Sequence, residues 1–326
     1  MSSSIAPVRI GTRGSQLALY QATTVARLLR ERGGPESEIV IIKTSGDRLQ
    51  ERPLSEVGGK RLFVKEIEDA LLAGEVDLAV HSSKDMPALL PDGLCLAGAL
   101  PREDPRDALV LPRHRILAAP TVEAVIACLG GSPSIGTSSV RRVAQLTRLL
   151  PDARFSPVRG NLDTRLRKLD EGAHDAIVLA AAGLRRLGLT DRISFALPTD
   201  ACLPSPGQGI IAIETRTADD ALRRTLVAIT DPHAAQALRA ERAVVDGLGG
   251  GCQTPIGALA THHPHGHLVL EATVVAVDGS RAVHGHAEGR ADDAEALGRR
   301  VAEALLAQGA ADLLAEAAQH AQTPRD

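Results

Sequence analysis

Over its first two thirds this chain of 326 residues alternates short β-rich runs with helical patterns, and that alternation leaves little choice beyond βαβ units around a mainly parallel sheet. Residues 8–12, 38–43, 78–81 and 94–99 read as strands, with helices over 15–32 and 63–73 between them. A second series follows, with strands at 108–111, 134–137, 154–158 and 176–179 and helices near 139–150 and 161–171. Two similar α/β domains are the simplest account. Pro- and charge-rich joints at 101–107 (PREDPRD) and 197–209 (LPTDACLPSPGQG) suggest two crossings, so the second domain is expected to be inserted into the first. After Asp231, a helix over 233–246, three β-rich runs near 257–260, 268–277 and 281–288, and a helix from 292 to about 318 predict a small α+β domain with a three-stranded antiparallel sheet. The expected division is 1–104 with 204–228, then 105–203, then 229–326.

The balance of charge narrows the partners. Net charge is only −3, so no whole-molecule field favours nucleic acid or anionic lipid. Between Arg141 and Lys168, however, eight basic residues face two acidic ones, Asp152 and Asp163, a local excess of six positive charges. With no Trp, one Tyr and three Phe, the chain lacks aromatic platforms for stacking bases, so a small polyanion suits this stretch better than a nucleic acid. No apolar run approaches a membrane span, and the N-terminus lacks a cationic start followed by an apolar stretch, so a cytoplasmic protein is expected. Cys95, Cys128, Cys202 and Cys252 are too scattered for a disulfide framework.

Chemistry-bearing residues gather where strands pass into helices. VHSSKDMP (80–87) begins at the end of a buried-looking strand, the place where open α/β sheets bind ligands, which would put Ser82, Ser83, Lys84 and Asp85 along a cleft. A carboxylate there can accept a proton or hold a developing cation, and Lys84 can bind an anion. The spacing alone also fits Asp85 as a cap on the next turn and Lys84 as a solvated cation. IGTSSVRR (135–142) and VRGNLDTR (158–165) repeat the arrangement, with exposed amides, hydroxyls and arginines at a helix start forming an anion site, or simply a cap with surface arginines. No junction has a Walker or dinucleotide glycine pattern. In LGGGCQTP (248–255), Cys252 sits among glycines, where a thiol can act as nucleophile or attachment point once ionised, although most lone cysteines are inert. THHPHGH (261–267) matches no common zinc spacing and reads as a solvated loop; no metal is expected.

In this order, RIGTRGSQLALYQA (9–22), KTSGDR (43–48), GKRLFVKE (59–66), VHSSKDMP, IGTSSVRR, VRGNLDTRL, DAIVLAAAGLRRLG (175–188), PGQG (206–209) and GGCQTPIG resemble the motif series of porphobilinogen deaminases, covering about residues 9–260. The resemblance implies two doubly wound lobes like those of periplasmic binding proteins plus a small third domain. It implies a transferase that condenses four porphobilinogen units on a dipyrromethane cofactor held as a thioether on Cys252, with loss of ammonia, then hydrolytic release of hydroxymethylbilane for haem and related tetrapyrroles. By motif position Asp85 is the catalytic carboxylate. Arg13, Ser15, Lys60, Ser82, Lys84, Thr137, Ser139, Arg141, Arg142, Arg159, Arg165, Arg186 and Gln208 would bind cofactor or substrate carboxylates, and a monomer is implied. Arg61, where the family pattern has Gly, and the extra glycine before Cys252 depart from the pattern without removing a reactive group.

The residue types suit that chemistry. Each porphobilinogen brings an acetate and a propionate, and the arginine fork pairs with carboxylates in two places at once. Loss of ammonia leaves a cationic azafulvene, which one carboxylate can stabilise. The alternative from another class is a bilobal binding module for a small polycarboxylate, which would carry no covalent adduct.

Overall fold

The computed structural model describes residues 7–48, 64–251 and 254–322 of the chain. A first lobe opens with β1 (Val8–Thr12), α1 (Gln16–Glu31), β2 (Ser37–Ile41), α2 (Ser45–Arg48), α3 (Lys65–Leu72), β3 (Leu78–Ser82) and β4 (Leu94–Ala99). The chain then crosses to a second lobe of β5 (Asp107–Val110), α4 (Val122–Leu129), β6 (Ser134–Gly136), α5 (Val140–Leu149), β7 (Arg154–Ser156), α6 (Leu162–Asp170), β8 (Ala176–Ala180), α7 (Ala181–Arg186) and β9 (Phe195–Ala196). It returns to the first lobe with β10 (Ile211–Arg216) and α8 (Asp220–Val227). Last come α9 (Pro232–Gly247), β11 (Ile256–His263), β12 (His267–Val275), β13 (Ala282–Arg290), α10 (Ala294–Ala307) and α11 (Ala310–Gln322).

The two lobe sheets share one plan. Their strand orders are β2-β1-β3-β10-β4 and β7-β6-β8-β5-β9. In each, three parallel strands are followed by an antiparallel fourth. That fourth strand is the first one formed after a crossing. It enters at the edge where its neighbour ends, Ile211 opposite Ser82 and Asp107 opposite Ala180, so it must run the other way. Four of the five strands in each sheet thus run the same way, as the mainly parallel reading expects, and β10 and β5 are the reversed ones. β10 escaped the sequence reading because Ile211–Thr215 is buried throughout, which leaves no alternation of polar and apolar residues to mark a strand.

Local sequence explains the helices that carry site residues. In α1 the buried positions Ala18, Ala22, Val25 and Leu29 recur at helical spacing, and Ser15 accepts a hydrogen bond from the Ala18 amide at 3.3 Å as N-cap. Ser139 caps α5 in the same way, accepting from the Arg142 amide at 3.4 Å. Apolar residues of α1 and α8 pack on one face of the first sheet and those of α3 on the other. The second sheet is likewise covered on both faces. The third, β11-β12-β13, is antiparallel and packs on α9, α10 and α11. Instead of one helix from 292 to about 318, two helices meet at Gly309, whose φ of +93° lies in the left-handed region and ends the α10 geometry.

The crossings run side by side. The Glu103 amide donates to the Gly209 carbonyl at 3.0 Å, and a Cβ on Gly209 would lie 2.3 Å from the Glu103 oxygen, so only glycine allows that approach. Glu241 of α9, fully buried, then ties both crossings to the third sheet. It pairs with Arg102 at 2.5 Å and accepts from the amides of Gly207 at 2.6 Å and Ala260 at 2.7 Å.

Candidate active site

A buried carboxylate organises the junction between the lobes. Asp107, the first residue of β5, is fully shielded from solvent. Its Oδ2 lies 2.7 Å from Nη1 of Arg141, and its Oδ1 accepts from Nε and Nη2 of Arg142 at 2.9 and 2.7 Å and from Nε2 of Gln208 at 3.0 Å. Burial alone would raise the Asp107 pKa, but the two guanidinium groups outweigh it and hold the carboxyl well below the usual range. Arg141 also donates to the Leu203 carbonyl at 2.8 Å, and Arg142 to that of Val178 at 2.7 Å. Of the expected carboxylate binders, Arg141, Arg142 and Gln208 thus face a protein carboxylate.

Asp85 is in the opposite situation. It closes the 3-10 turn Ser83–Asp85 that follows β3, is exposed, and makes no hydrogen bond or ion pair among the described residues. Cations gather around it. Burial pushes the Lys84 ammonium down to about 8, with Arg142 adding to the shift and Asp85 and Asp107 opposing it. Burial likewise pushes Arg165 down to about 10, Arg142, Arg159 and Arg13 crowding it further while Asp85 offsets them. The Arg159 guanidinium, lowered by burial, has no hydrogen-bond or ion-pair partner among the described residues. Several positive charges therefore share one carboxylate, a field suited to a polyanion.

Other expected residues have partners within the protein. Ser82 accepts from Nε2 of Gln21 at 2.8 Å, and Thr137, buried, accepts from the Ser139 amide at 3.2 Å. Arg186 at the end of α7 donates to the Gly209 carbonyl at 2.6 Å, its pKa lowered by burial against the pull of Glu103 and Tyr20. A cavity of about 50 Å³, room for a few water-sized groups, opens where the two lobes meet the third domain. Ser83, Lys84, Arg141, Arg242, Gly251 and Thr254 are among its walls. Ser83 Oγ and Arg141 Nε are buried there without a hydrogen-bond partner among the described residues. Lys60 and Cys252 lie outside the described residues.

Sequence reasoning missed Asp107, Glu241 and Gln21. Asp107 stood in a charged joint and looked like linker, but it opens the apolar run Ala108–Leu111, and the excess of arginines over 141–168 without carboxylates to balance it was the available signal. Of the His-rich segment read as a loop, 261–263 extend β11 and His267 opens β12, so only 264–266 form the connection, and the His262 ring stacks on His233 at 4.3 Å. Among the described residues no helix is long and apolar enough to cross a membrane.

Two family models match the chain: "Porphobilinogen deaminase, dipyromethane cofactor binding domain" over residues 8–224 and "Porphobilinogen deaminase, C-terminal domain" over residues 235–307. A porphobilinogen deaminase of Geobacter sulfurreducens is 47% identical over 315 residues, covering 95% of this chain and 94% of that one. One of Thiobacillus denitrificans is 48% identical over 307 residues, covering 94% and 97%. Among solved structures, immunogenic lipoprotein A of Vibrio vulnificus aligns with 70% of this chain and 96% of its own at 13% identity and a TM-score of 0.41, a likeness that adds nothing to the strand orders.

Proposed function

The chain belongs to the porphobilinogen deaminase family, and on that premise we propose that Asp85 is the catalytic carboxylate and that Cys252 carries the dipyrromethane cofactor through a thioether. It is a transferase of tetrapyrrole biosynthesis, a hydroxymethylbilane synthase that joins porphobilinogen units head to tail with loss of ammonia. The family match sets aside a binding module without catalysis. The same reading divides the chain into 1–104 with 204–228, 105–203 and 229–326, and takes it as a cytoplasmic monomer that needs no metal.

The observation that carries the proposal is the cavity between the three domains. Gly251 and Thr254, the described residues on either side of Cys252 and Gln253, line it together with Lys84, next to Asp85 in sequence. The other cysteines suit attachment less. Cys202 is buried, and burial beside Asp107 pushes its thiol up to about 12, which suppresses the thiolate. Cys95 on β4 and Cys128 on α4 are half-buried and do not line the cavity.

The residues present fit an acidic pyrrole chain. Ser83 Oγ and Arg141 Nε, both without a hydrogen-bond partner among the described residues, would meet ligand carboxylates or ring atoms, and Lys84, Arg13, Arg159, Arg165 and Arg186 would hold the acetates and propionates. Ser15, Lys60, Ser82, Thr137 and Ser139 complete the set that would line the path. When bound, the cofactor supplies the terminal pyrrole whose free α-carbon is joined to the next unit. Asp85 would stabilise the cation left on porphobilinogen as ammonia departs and accept, at its carboxylate, the proton released when the ring regains aromaticity.

An intact mass of the purified protein tests the attachment. The mass should exceed that of the bare chain by two condensed pyrrole units, with the excess lost in Cys252→Ser. An adduct mapped to Cys95, Cys128 or Cys202 would overturn it.

A further inference from the structure

Gln208 lies on the second crossing, one residue before Gly209, and is 1% exposed. Its amide points one way only. Nε2 donates to the Pro105 carbonyl at 2.7 Å and to Asp107 Oδ1 at 3.0 Å, which uses both of its hydrogens, while Oε1 accepts from Lys84 Nζ at 3.2 Å. The reversed amide would set its oxygen against a carboxylate and a carbonyl and its NH₂ against an ammonium, so charge fixes the orientation. No donor is left for a ligand. Its backbone carbonyl is also taken, by Arg102 Nε at 2.9 Å.

We propose that Gln208 is a positioning residue, one that acts on the reaction through Lys84 by holding its ammonium between the Asp107 node and Asp85. This rests on the reading of Lys84 as a binder of ligand carboxylates. The groups that bear on Lys84 are Arg141 and Arg142 from α5, Asp107 from β5 and Asp85 on its own turn. Two of these are cations that repel it, so the neutral acceptor on Gln208 steadies an ammonium that its neighbours would otherwise displace. Because Gln208 belongs to a crossing and Lys84 to the turn after β3, the contact also joins the lobe connection to the catalytic turn.

A double-mutant cycle on the full chain separates this role from direct ligand binding. In Gln208→Met, a near-isosteric change, the KM for porphobilinogen should rise about tenfold while kcat stays within about threefold. In a Lys84→Met background the same substitution should change KM by less than about twofold. Equal effects in both backgrounds would overturn the proposal and return Gln208 to ligand binding. If Lys84→Met alone left KM unchanged, the reading of Lys84 would fail instead. A second variant, Gln208→Glu, is read without activity, by the pH dependence of Lys84 labelling with an amine-selective acylating reagent followed by peptide mass analysis. An anion in place of the amide should move half-labelling to higher pH by about one unit or more. An unmoved profile would overturn the proposal, and this measurement decides the matter if Gln208→Met does not accumulate as folded protein.

Discussion

Asp107 and Asp85 carry the same group at the same junction and live in opposite surroundings. Asp107 is sealed off and held by Arg141, Arg142 and Gln208. Asp85 is exposed, with no hydrogen bond or ion pair among the described residues, in the field of Lys84 and Arg165. A buried carboxylate with every lone pair engaged can only hold structure. A carboxylate surrounded by under-compensated cations can exchange partners with a ligand, and so can do chemistry. The contrast also explains why some arginines near the cleft are committed and others available.

The largest effect should come from breaking the sealed side. Asp107→Ala leaves two guanidinium groups buried without their anion, a loss of about 3–5 kcal/mol of folding stability. Denaturant titration of the variant checks this, and a midpoint equal to the parent's would mean that water or another acid takes over. On the open side Arg159→Ala should behave in reverse. Stability should stay within about 0.5 kcal/mol, because no partner among the described residues is lost, while the KM for porphobilinogen rises roughly ten- to hundredfold and partly elongated chains accumulate. Native mass spectrometry during turnover would show those species, and their absence with an unchanged KM would remove Arg159 from the site.

A smaller effect concerns Lys84, which burial pushes from its ordinary 10.5 down to about 8. The charged form is present below that pH and is lost above it. Affinity for a carboxylate substrate should therefore weaken as pH rises, with kcat/KM falling by about tenfold per unit beyond roughly pH 8. Lys84→Arg, which keeps its charge, should postpone the fall to higher pH. A flat profile to pH 10 in the parent would show that the ammonium contributes nothing to binding.

Much of this was legible in the residues. The strand-to-helix junctions announced themselves because a buried run followed by hydroxyls and arginines has few other uses, and the positions of Asp85 and Ser139 at element ends and of Arg165 one turn into α6 follow from that pattern. The antiparallel strands were not legible, since orientation depends on where the chain enters the sheet, and β10 carries no alternation. Nor was the division of the arginines. Arg141 and Arg142 read as ligand contacts like Arg159, and only the fold brings Asp107, a residue of the first crossing, to within hydrogen-bonding distance of α5. Glu241 stayed hidden for the same reason, its partners lying at Arg102, Gly207 and Ala260.

Asp85→Asn is the substitution that most directly tests whether the open carboxylate works while the sealed one builds. The amide is nearly isosteric and Asp85 has no partner to lose among the described residues, so the melting midpoint should match the parent's. Single-turnover consumption of porphobilinogen by the cofactor-loaded protein should fall by roughly a hundredfold or more, because the amide can neither balance the cation nor accept its proton. A rate near the parent's with an intact fold would contradict the assignment and leave Asp85 as a solvated carboxylate without a role in the reaction.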